Sequence, residues 1–323
     1  MQTTLKIAKF LMNLMPKKPT YDAVDFRQEV FMHPNYKSLS DEAKKKKMIK
    51  WIDDDCIKAS KKCFEQFFPN FFFESICRDK TVLDLGCSIG GQTIYFAEKY
   101  YVKNMYGIDV NKESVTGANM FVRGNKKLNA SYKFLCGYAE ELPFDDNTFD
   151  AIISHDTIEH VRSVKQTLEQ CKRITKHGGH IFLVFPSYYC PFGGAHINSV
   201  TNTPFLEWFF SAYTLNKACQ EIQSDWGNDY SWYRHKDDIK YPDWATVKGG
   251  IGVNGITYKE FDSIINEIGF SETKLIRTPL LSVGFMANRY PIIKYVSNSF
   301  KPLLKIRSLI DYLSHRIVYH LRV

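Results

Sequence analysis

The residues able to do chemistry gather first in the run TVLDLGCSIGGQTIYFA, residues 81 to 97. An apolar stretch closes on Asp84 and Leu85, a turn carries Gly86, Ser88, Gly90 and Gly91, and a helix-like pattern follows. Such a strand, turn and helix hold a small molecule at the carboxyl end of the strand, where glycines let it approach the backbone. Two chemistries compete for the turn. Gly86, Ser88 and Gly90 spell G-x-S-x-G, which would make Ser88 a hydrolase nucleophile in need of a later acid and histidine. A nucleotide site would instead use the glycines for close approach and an acid about twenty positions on for the ribose hydroxyls. Asp109 meets that condition. Ser88, however, replaces the middle glycine of a dinucleotide fingerprint, and Asp84 adds a carboxylate just before the turn. That charge would repel a diphosphate and attract an ammonium or sulfonium group. The pattern favours a cationic nucleoside, and the hydrolase reading leaves Asp84 and Asp109 without work.

The elements that must position these residues follow from the hydrophobic pattern. Strands are expected at 81–85, 104–110, 132–136 and 149–154, with a fifth in GGHIFLVFPS entered through Gly178 and Gly179. Helices are expected at 91–99 and 163–176. Near-continuous apolar strands alternating with helices indicate an α/β domain whose mostly parallel sheet is covered on both faces. Upstream, residues 1–15 form an amphipathic helix ended by Pro16 and Pro19, and a second helical region runs from Asp41 to Phe68. Phe71 to Phe73 suggest a hinge or docking segment. Residues 188–250 interrupt the alternation with dense aromatics. TYKEFDSIINEIGF then reads as a helix with Thr257 as N-cap and Glu260 completing a capping box. Segments 272–278 and 282–288 are expected to close the sheet as a hairpin.

VLDLGCSIGG, GIDVN, GYAEELPFDDNTFDAIISHDTIEHV and GGHIFLVFP, in this order, resemble the class I S-adenosylmethionine-dependent methyltransferases. The resemblance covers roughly residues 79–187 and loosely reaches 288. It implies a Rossmann-like seven-stranded, mostly parallel sheet with one reversed strand, helices on both faces, a helical N-terminal extension and an aromatic-rich insertion. The implied cofactor is S-adenosyl-L-methionine. Asp84, Gly86, Ser88 and Gly90 fall on its amino-acid and ribose side, Asp109 on the ribose hydroxyls, and Val110 beside the adenine. Tyr138, Ala139 and Glu140 fall on the adenine-edge loop, where Tyr138 replaces a common acid, and Ser154 lies under the methionine portion. Three regions result: a helical extension at 1–78, the catalytic domain at 79–290 with its substrate-covering insertion at 188–250, and a basic amphipathic helix at 291–323.

Methyl transfer from a sulfonium needs an aligned acceptor lone pair and, for a hydroxyl, a base. His196 is the first candidate, since imidazole titrates near neutrality and Gly193 and Gly194 let its loop approach a ligand. His155 and Asp156 are the alternatives, while Glu159 and His160 read as braces. Tyr188, Tyr189 and Trp208 are expected to line the acceptor site. A hydroxyl on a small metabolite, natural product or saccharide is the expected acceptor and an amine the alternative. No residue cluster has metal-ligand spacing, so no metal is assigned.

The formal net charge of +8, with 35 acidic residues, does not call for nucleic acid. Eight cysteines without a CxxC pair suit free thiols in a reducing cytoplasm. Leu303, Ile306, Ile310, Leu313, Ile317 and Leu321 form an apolar stripe if 291–323 is helical. That stripe suits internal packing, a homodimer or peripheral contact with an anionic membrane.

Overall fold

The computed structural model describes residues 2–17, 33–61, 64–191, 194–227, 252–280, 291–299 and 301–323. Seven strands, β1 (Thr81–Leu85), β2 (Asn104–Asp109), β3 (Ser131–Cys136), β4 (Phe149–His155), β5 (Thr175–Phe185), β6 (Glu272–Pro279) and β7 (Ser314–Arg322), form one sheet in the order β3-β2-β1-β4-β5-β7-β6. The first five pair in parallel, and β7 runs antiparallel to β5 with Phe182 opposite His320 and Phe185 opposite Ile317. Val82, Leu83, Ile152, Phe182 and Leu183 are wholly buried, which is why these strands lack polar alternation. Strand order reverses about β1, so the β1 and β4 carboxyl ends flank the switch point at which open α/β sheets bind ligands.

The described chain divides into two compact units. The sheet unit comprises residues 39–185, 263–276 and 317–323; the aromatic unit comprises 1–38, 186–262 and 277–316. The expected 1–78 extension is thereby split. Its Asp41–Lys61 helix belongs to the sheet unit because it lies against two glycines. A Cβ on Gly91 would sit 2.6 Å from the Asp55 Cβ, and one on Gly117 would sit 2.4 Å from the Met48 side chain. Phe71 to Phe73 are largely packed rather than a hinge. Phe73 is 2% exposed and the Phe71 ring lies 5.3 Å from Phe182; Phe72 alone of the three points outward.

In the aromatic unit the Gln2–Met12 helix buries Ala8 and Met12 in a cluster with Leu215, Ala218, Cys219 and Ile222 of the Ala212–Asp225 helix. Lys9 joins the same two helices by ion pairs to Asp225 (2.9 Å) and Glu221 (3.6 Å). The Tyr258–Ile268 helix starts with the expected capping box: Glu260 N donates to Thr257 Oγ1 and Thr257 N donates to Glu260 Oε2, both at 3.2 Å.

The C-terminal region departs from expectation. Residues 291–323 are not one helix but a helix at Pro291–Ser299, a short turn of helix, a second helix at Arg307–Leu313 and then β7. Ile317 and Leu321, placed on a helical stripe by their spacing, are wholly buried in the sheet. Pairing with β5 satisfies the backbone of a β-branched run, Ile317–Val318, that has little helical preference of its own. The continuous stripe therefore does not exist. The expected strand at 282–288 lies outside the described residues, as do Gly193 and the insertion's residues 228–250.

Candidate functional site

The turn after β1 is built on left-handed backbone. Gly86 (φ +83°), Ser88 (φ +50°) and Gly90 (φ +82°) reverse the chain into the Gly91–Lys99 helix. Gly86 N and Cys87 N both donate to Ile108 O, at 2.8 and 3.1 Å, which pins the turn to β2. Glycine is compulsory at 86 for a second reason: a Cβ there would stand 2.0 Å from Thr157 Oγ1. At Gly90 it would stand 2.8 Å from the Phe134 ring.

Asp109 closes the site from the end of β2. Ser88 N donates to Asp109 Oδ2 at 2.9 Å and Asn111 N to Asp109 Oδ1 at 2.8 Å. Two amide donors fix the carboxylate in one orientation and leave lone pairs on both oxygens for further donors. Burial pushes its pKa up, while the two amides and the charge of His160 pull it back. Asn111 in turn caps the Lys112–Gly124 helix, accepting from Ser114 N at 2.8 Å.

Asp84 is 8% exposed and accepts a 2.6 Å hydrogen bond from Thr93 Oγ1. Burial, followed by the nearby carboxylates of Asp109 and Asp55, raises its pKa to about 7 despite that bond. A carboxyl poised at neutrality among other acids is a place where a cation is favoured electrostatically. Asp55, Thr93, Thr157 and Asn111 complete this shell and were not singled out from sequence. Thr93 had a readable signal, because it lies on the first turn of the helix that the glycines open. Asp55 had none, being brought in by a helix far upstream in the chain.

Around this core Val110 (50% exposed) and Tyr138 (67% exposed) present apolar side chains at the ends of β2 and β3. Ala139 lies in the following turn, and Glu140 Oε1 accepts from Arg162 N and Ser163 N, so its carboxylate anchors the start of the Val164–Ile174 helix. Ser154 is wholly buried, and its hydroxyl donates to Leu85 O at 3.0 Å, stitching β4 to β1. His155 packs edge-on against Phe64 and Phe67, at 5.8 and 5.4 Å, with Nε2 3.9 Å from Asp156 Oδ2. Asp156 itself takes φ +52° as β4 ends.

The remaining sequence candidates belong to the aromatic unit. His196 is part-buried with φ +54°. Its loop is tight: a Cβ on Gly194 would lie 2.1 Å from Ser187 O, and Gly194 N donates to Cys190 O at 2.9 Å. Tyr189 stacks on Tyr312 at 4.9 Å, Trp208 meets Tyr312 edge-on at 5.6 Å, and Trp208 Nε1 donates to Tyr189 O at 2.7 Å. Tyr188 is buried against Tyr189, and its hydroxyl meets no hydrogen-bond partner among the described residues. Glu207, which sequence reasoning passed over, is 3% exposed with Oε2 likewise unpartnered among the described residues; burial raises its pKa to about 7. Thus the structure brings the cofactor candidates together in the sheet unit and the acceptor candidates, with His196, in the aromatic unit.

Comparison with known proteins agrees with the geometry. The profile of a family described as methyltransferase domain matches residues 83–183. The chain is similar to a norajmaline N-methyltransferase of Rauvolfia serpentina, 28% identical over 36% of this chain and 39% of that protein. It is also similar to an uncharacterized methyltransferase, YcgJ, of Bacillus subtilis, 33% identical over 46% and 61% of the two chains. A probable tocopherol O-methyltransferase of rice is 32% identical over 33% and 29%. The chain thus spans between 29% and 61% of the length of these curated relatives. Among solved structures, a putative methyltransferase complexed with the Trm112 activator of Haloferax volcanii aligns with 88% of this chain and 99% of its own, at 17% identity and a TM-score of 0.48. With its glycine turn, its Asp109 clamp and a matched span running from β1 into β5, the region of residues 83–183 matches the family described as methyltransferase domain.

Proposed function

We propose that the chain transfers a methyl group from S-adenosyl-L-methionine to a small-molecule acceptor. The observation that carries this reading is the Asp109 carboxylate, oriented by Ser88 N and Asn111 N beside the buried Asp84. Free lone pairs on a fixed carboxylate suit the paired hydroxyls of a ribose, and a cluster of acids suits the sulfonium and ammonium charges of this cofactor. Val110 and Tyr138 supply apolar surface for the adenine. When bound, the cofactor supplies an electrophilic methyl carbon, and its sulfur keeps the electron pair of the broken carbon–sulfur bond.

For the acceptor, a hydroxyl of a metabolite, natural product or saccharide is the first reading. Its lone pair forms the new bond while its proton passes to His196, with His155 or Asp156 as the alternative base. Tyr188, Tyr189 and Trp208 line the acceptor side. An amine is the second reading, favoured by the Glu207 carboxyl, whose Oε2 has no hydrogen-bond partner among the described residues and which would bind an ammonium group and take its proton. Relatives named for nitrogen and for oxygen transfer both occur. The seven free cysteines among the described residues support a reducing, cytoplasmic setting.

Asp109→Ala tests the cofactor assignment. Calorimetry is expected to give a roughly 10- to 100-fold weaker affinity for S-adenosyl-L-methionine with native circular dichroism, the size of one charged hydrogen-bond site lost. A wild-type chain that binds NAD instead would overturn it. Labelled cofactor and a panel of phenols, sugars and amines, with mass localisation of the methyl group, decides between oxygen and nitrogen.

A further inference from the structure

One carboxylate of the cofactor shell comes from outside the span that matches the methyltransferase domain. The Asp41–Lys61 helix turns Met48, Ile52 and Asp55 to one face, at intervals of four and three residues, and buries all three: they are 4%, 0% and 6% exposed. Met48 and Ile52 suit such a face. An acid does not, because burying a carboxylate is costly unless it is hydrogen-bonded. Asp55 is bonded to the helix that the glycine turn opens. Gln92 N donates to Asp55 Oδ2 at 3.0 Å and Gln92 Nε2 to Asp55 Oδ1 at 3.4 Å. Beside it, Cys56 Sγ donates to Gly91 O at 3.1 Å.

These bonds answer a need that the turn creates. The Gly91–Lys99 helix has Gly90 as its N-cap, at φ +82°, and glycine has no side chain to accept from the first free amides. A capping side chain at 90 would meet the Phe134 ring, 2.8 Å from the Cβ position. The cap therefore comes from elsewhere, and Asp55 supplies it from 37 residues upstream. Gly91 is the matching half of the contact: a Cβ there would stand 2.7 Å from both Asp55 Oδ2 and Ile52 O. A carboxylate at this end of a helix is also favoured by the helix dipole. From Gln92 the effect reaches the site within one helical turn. Gln92 and Thr93 are neighbours on the first turn of the helix, and Thr93 Oγ1 donates to Asp84 Oδ2 at 2.6 Å. Fixing Gln92 N fixes the turn that aims the Thr93 hydroxyl, and that hydroxyl orients the Asp84 carboxyl. All of these residues belong to the sheet unit.

We propose that Asp55 is a positioning residue for cofactor binding: as an N-cap supplied by the Asp41–Lys61 helix, it sets the first turn of the Gly91–Lys99 helix and, through Gln92 and Thr93, the aim of Asp84. The inference rests on the assignment of this site to S-adenosyl-L-methionine. It makes the Asp41–Lys61 helix part of the binding site rather than a cover packed on it. Met48 provides the contrast, since it anchors the same helix about two turns away from Asp55, against Gly117 of the Lys112–Gly124 helix.

Four variants of the full chain test it. Asp55→Ala removes the acceptor, Asp55→Asn keeps a carbonyl oxygen for Gln92 N, and Met48→Ala loosens the same helix at Gly117. Gln92→Pro removes the donor instead, on a first helical turn where proline is tolerated, and so tests the contact even if Asp55→Ala does not fold. Calorimetry should give an affinity for S-adenosyl-L-methionine about tenfold weaker in Asp55→Ala and in Gln92→Pro, the size of one hydrogen bond to a charged acceptor lost. Asp55→Asn should stay within about threefold of wild type, because it restores the cap. Hydrogen exchange measured without cofactor should follow the same order over the first turn of the Gly91–Lys99 helix, about tenfold faster in Asp55→Ala and near wild type in Asp55→Asn. Met48→Ala should lower the unfolding midpoint at least as far as Asp55→Ala yet leave affinity within about twofold of wild type, which a merely structural role for this helix would not allow. Wild-type affinity in Asp55→Ala or Gln92→Pro, an Asp55→Asn loss as large as the alanine loss, or a Met48→Ala loss of affinity equal to that of Asp55→Ala would overturn the proposal alone. A wild-type chain that binds no S-adenosyl-L-methionine would overturn the cofactor reading and this inference with it.

Discussion

The groups around the turn that closes β1 and two side chains of the aromatic unit differ in how their polar atoms are satisfied. In the sheet unit Asp109 has two amide donors, Asp84 has Thr93, Glu140 holds two backbone N–H groups and Ser154 holds Leu85 O. In the aromatic unit Tyr188 and Glu207 are buried, and each keeps an oxygen with no hydrogen-bond partner among the described residues. A buried polar group left unpaired costs about 1–3 kcal/mol, so natural chains retain one when it serves something other than stability. The turn after β1 has its polar groups satisfied, as a cradle for a single invariant molecule would. The aromatic side carries unspent hydrogen-bonding capacity, which is what a site for a variable acceptor would hold.

The largest expected effect tests the satisfied side. Gly86→Ala combines a φ of +83° with a Cβ that would lie 2.0 Å from Thr157 Oγ1. Backbone strain and overpacking each cost about 1–3 kcal/mol, so denaturant unfolding should show a loss of about 2–4 kcal/mol together with loss of cofactor affinity. Adding Thr157→Ala removes two of the three closest contacts and should recover the steric part but not the backbone part. A stable Gly86→Ala chain with wild-type affinity would mean that the turn is looser than its geometry states.

The same contrast explains what the sequence could reveal. β1 through β5 were legible because buried parallel strands read as apolar runs, and the turn was legible because only glycine suits φ near +80°. Asp109 could be found by its distance from Gly86, since one strand and one helix set that spacing. β7 was misread because Leu313, Ile317 and Leu321 happen to recur at helical intervals, while the feature that makes it a strand, pairing with β5, lies about 140 residues upstream. Glu207 was missed for a related reason. Between Leu206 and Trp208 it looks like an ordinary surface acid, and its burial near Tyr188 is set by the tertiary fold, which no local pattern encodes.

A middle-sized effect is expected at Glu207. Unfolded, a glutamate ionises near pH 4.3; folded, Glu207 keeps its proton up to about pH 7. Between those values the folded chain binds more protons than the unfolded one, so this residue's contribution to stability falls as pH rises through about 4 to 7. Glu207→Gln keeps the shape and removes the titration. It should be neutral at pH 4 and gain about 1–3 kcal/mol at pH 7.5, measured by denaturant unfolding at both values. Asp84, also raised to about 7, retains its own slope of the same sign, so the variant flattens the pH dependence only in part. If Glu207 binds the acceptor, the more stable variant should also turn over more slowly. A variant no more stable at pH 7.5 than wild type would show that the carboxylate is already satisfied.

The smallest effect sharpens the comparison most, because one chemical change can be made in both regions. Tyr188→Phe and Ser154→Ala each delete a buried hydroxyl. Ser154 Oγ donates to Leu85 O at 3.0 Å, so its loss leaves a buried carbonyl short of one donor and should cost about 1 kcal/mol, with β4 less tightly held to β1. The Tyr188 hydroxyl has no such partner among the described residues, and phenylalanine keeps the ring that meets Tyr189 at 5.1 Å. Its removal should leave stability within about 0.5 kcal/mol of wild type or raise it slightly, since only a desolvated oxygen is lost. Side-by-side denaturant curves on the two variants decide the matter. Equal losses would place a partner on the Tyr188 hydroxyl in the folded chain and remove the asymmetry. Retained stability with a raised KM for the acceptor would assign that hydroxyl to binding rather than to folding.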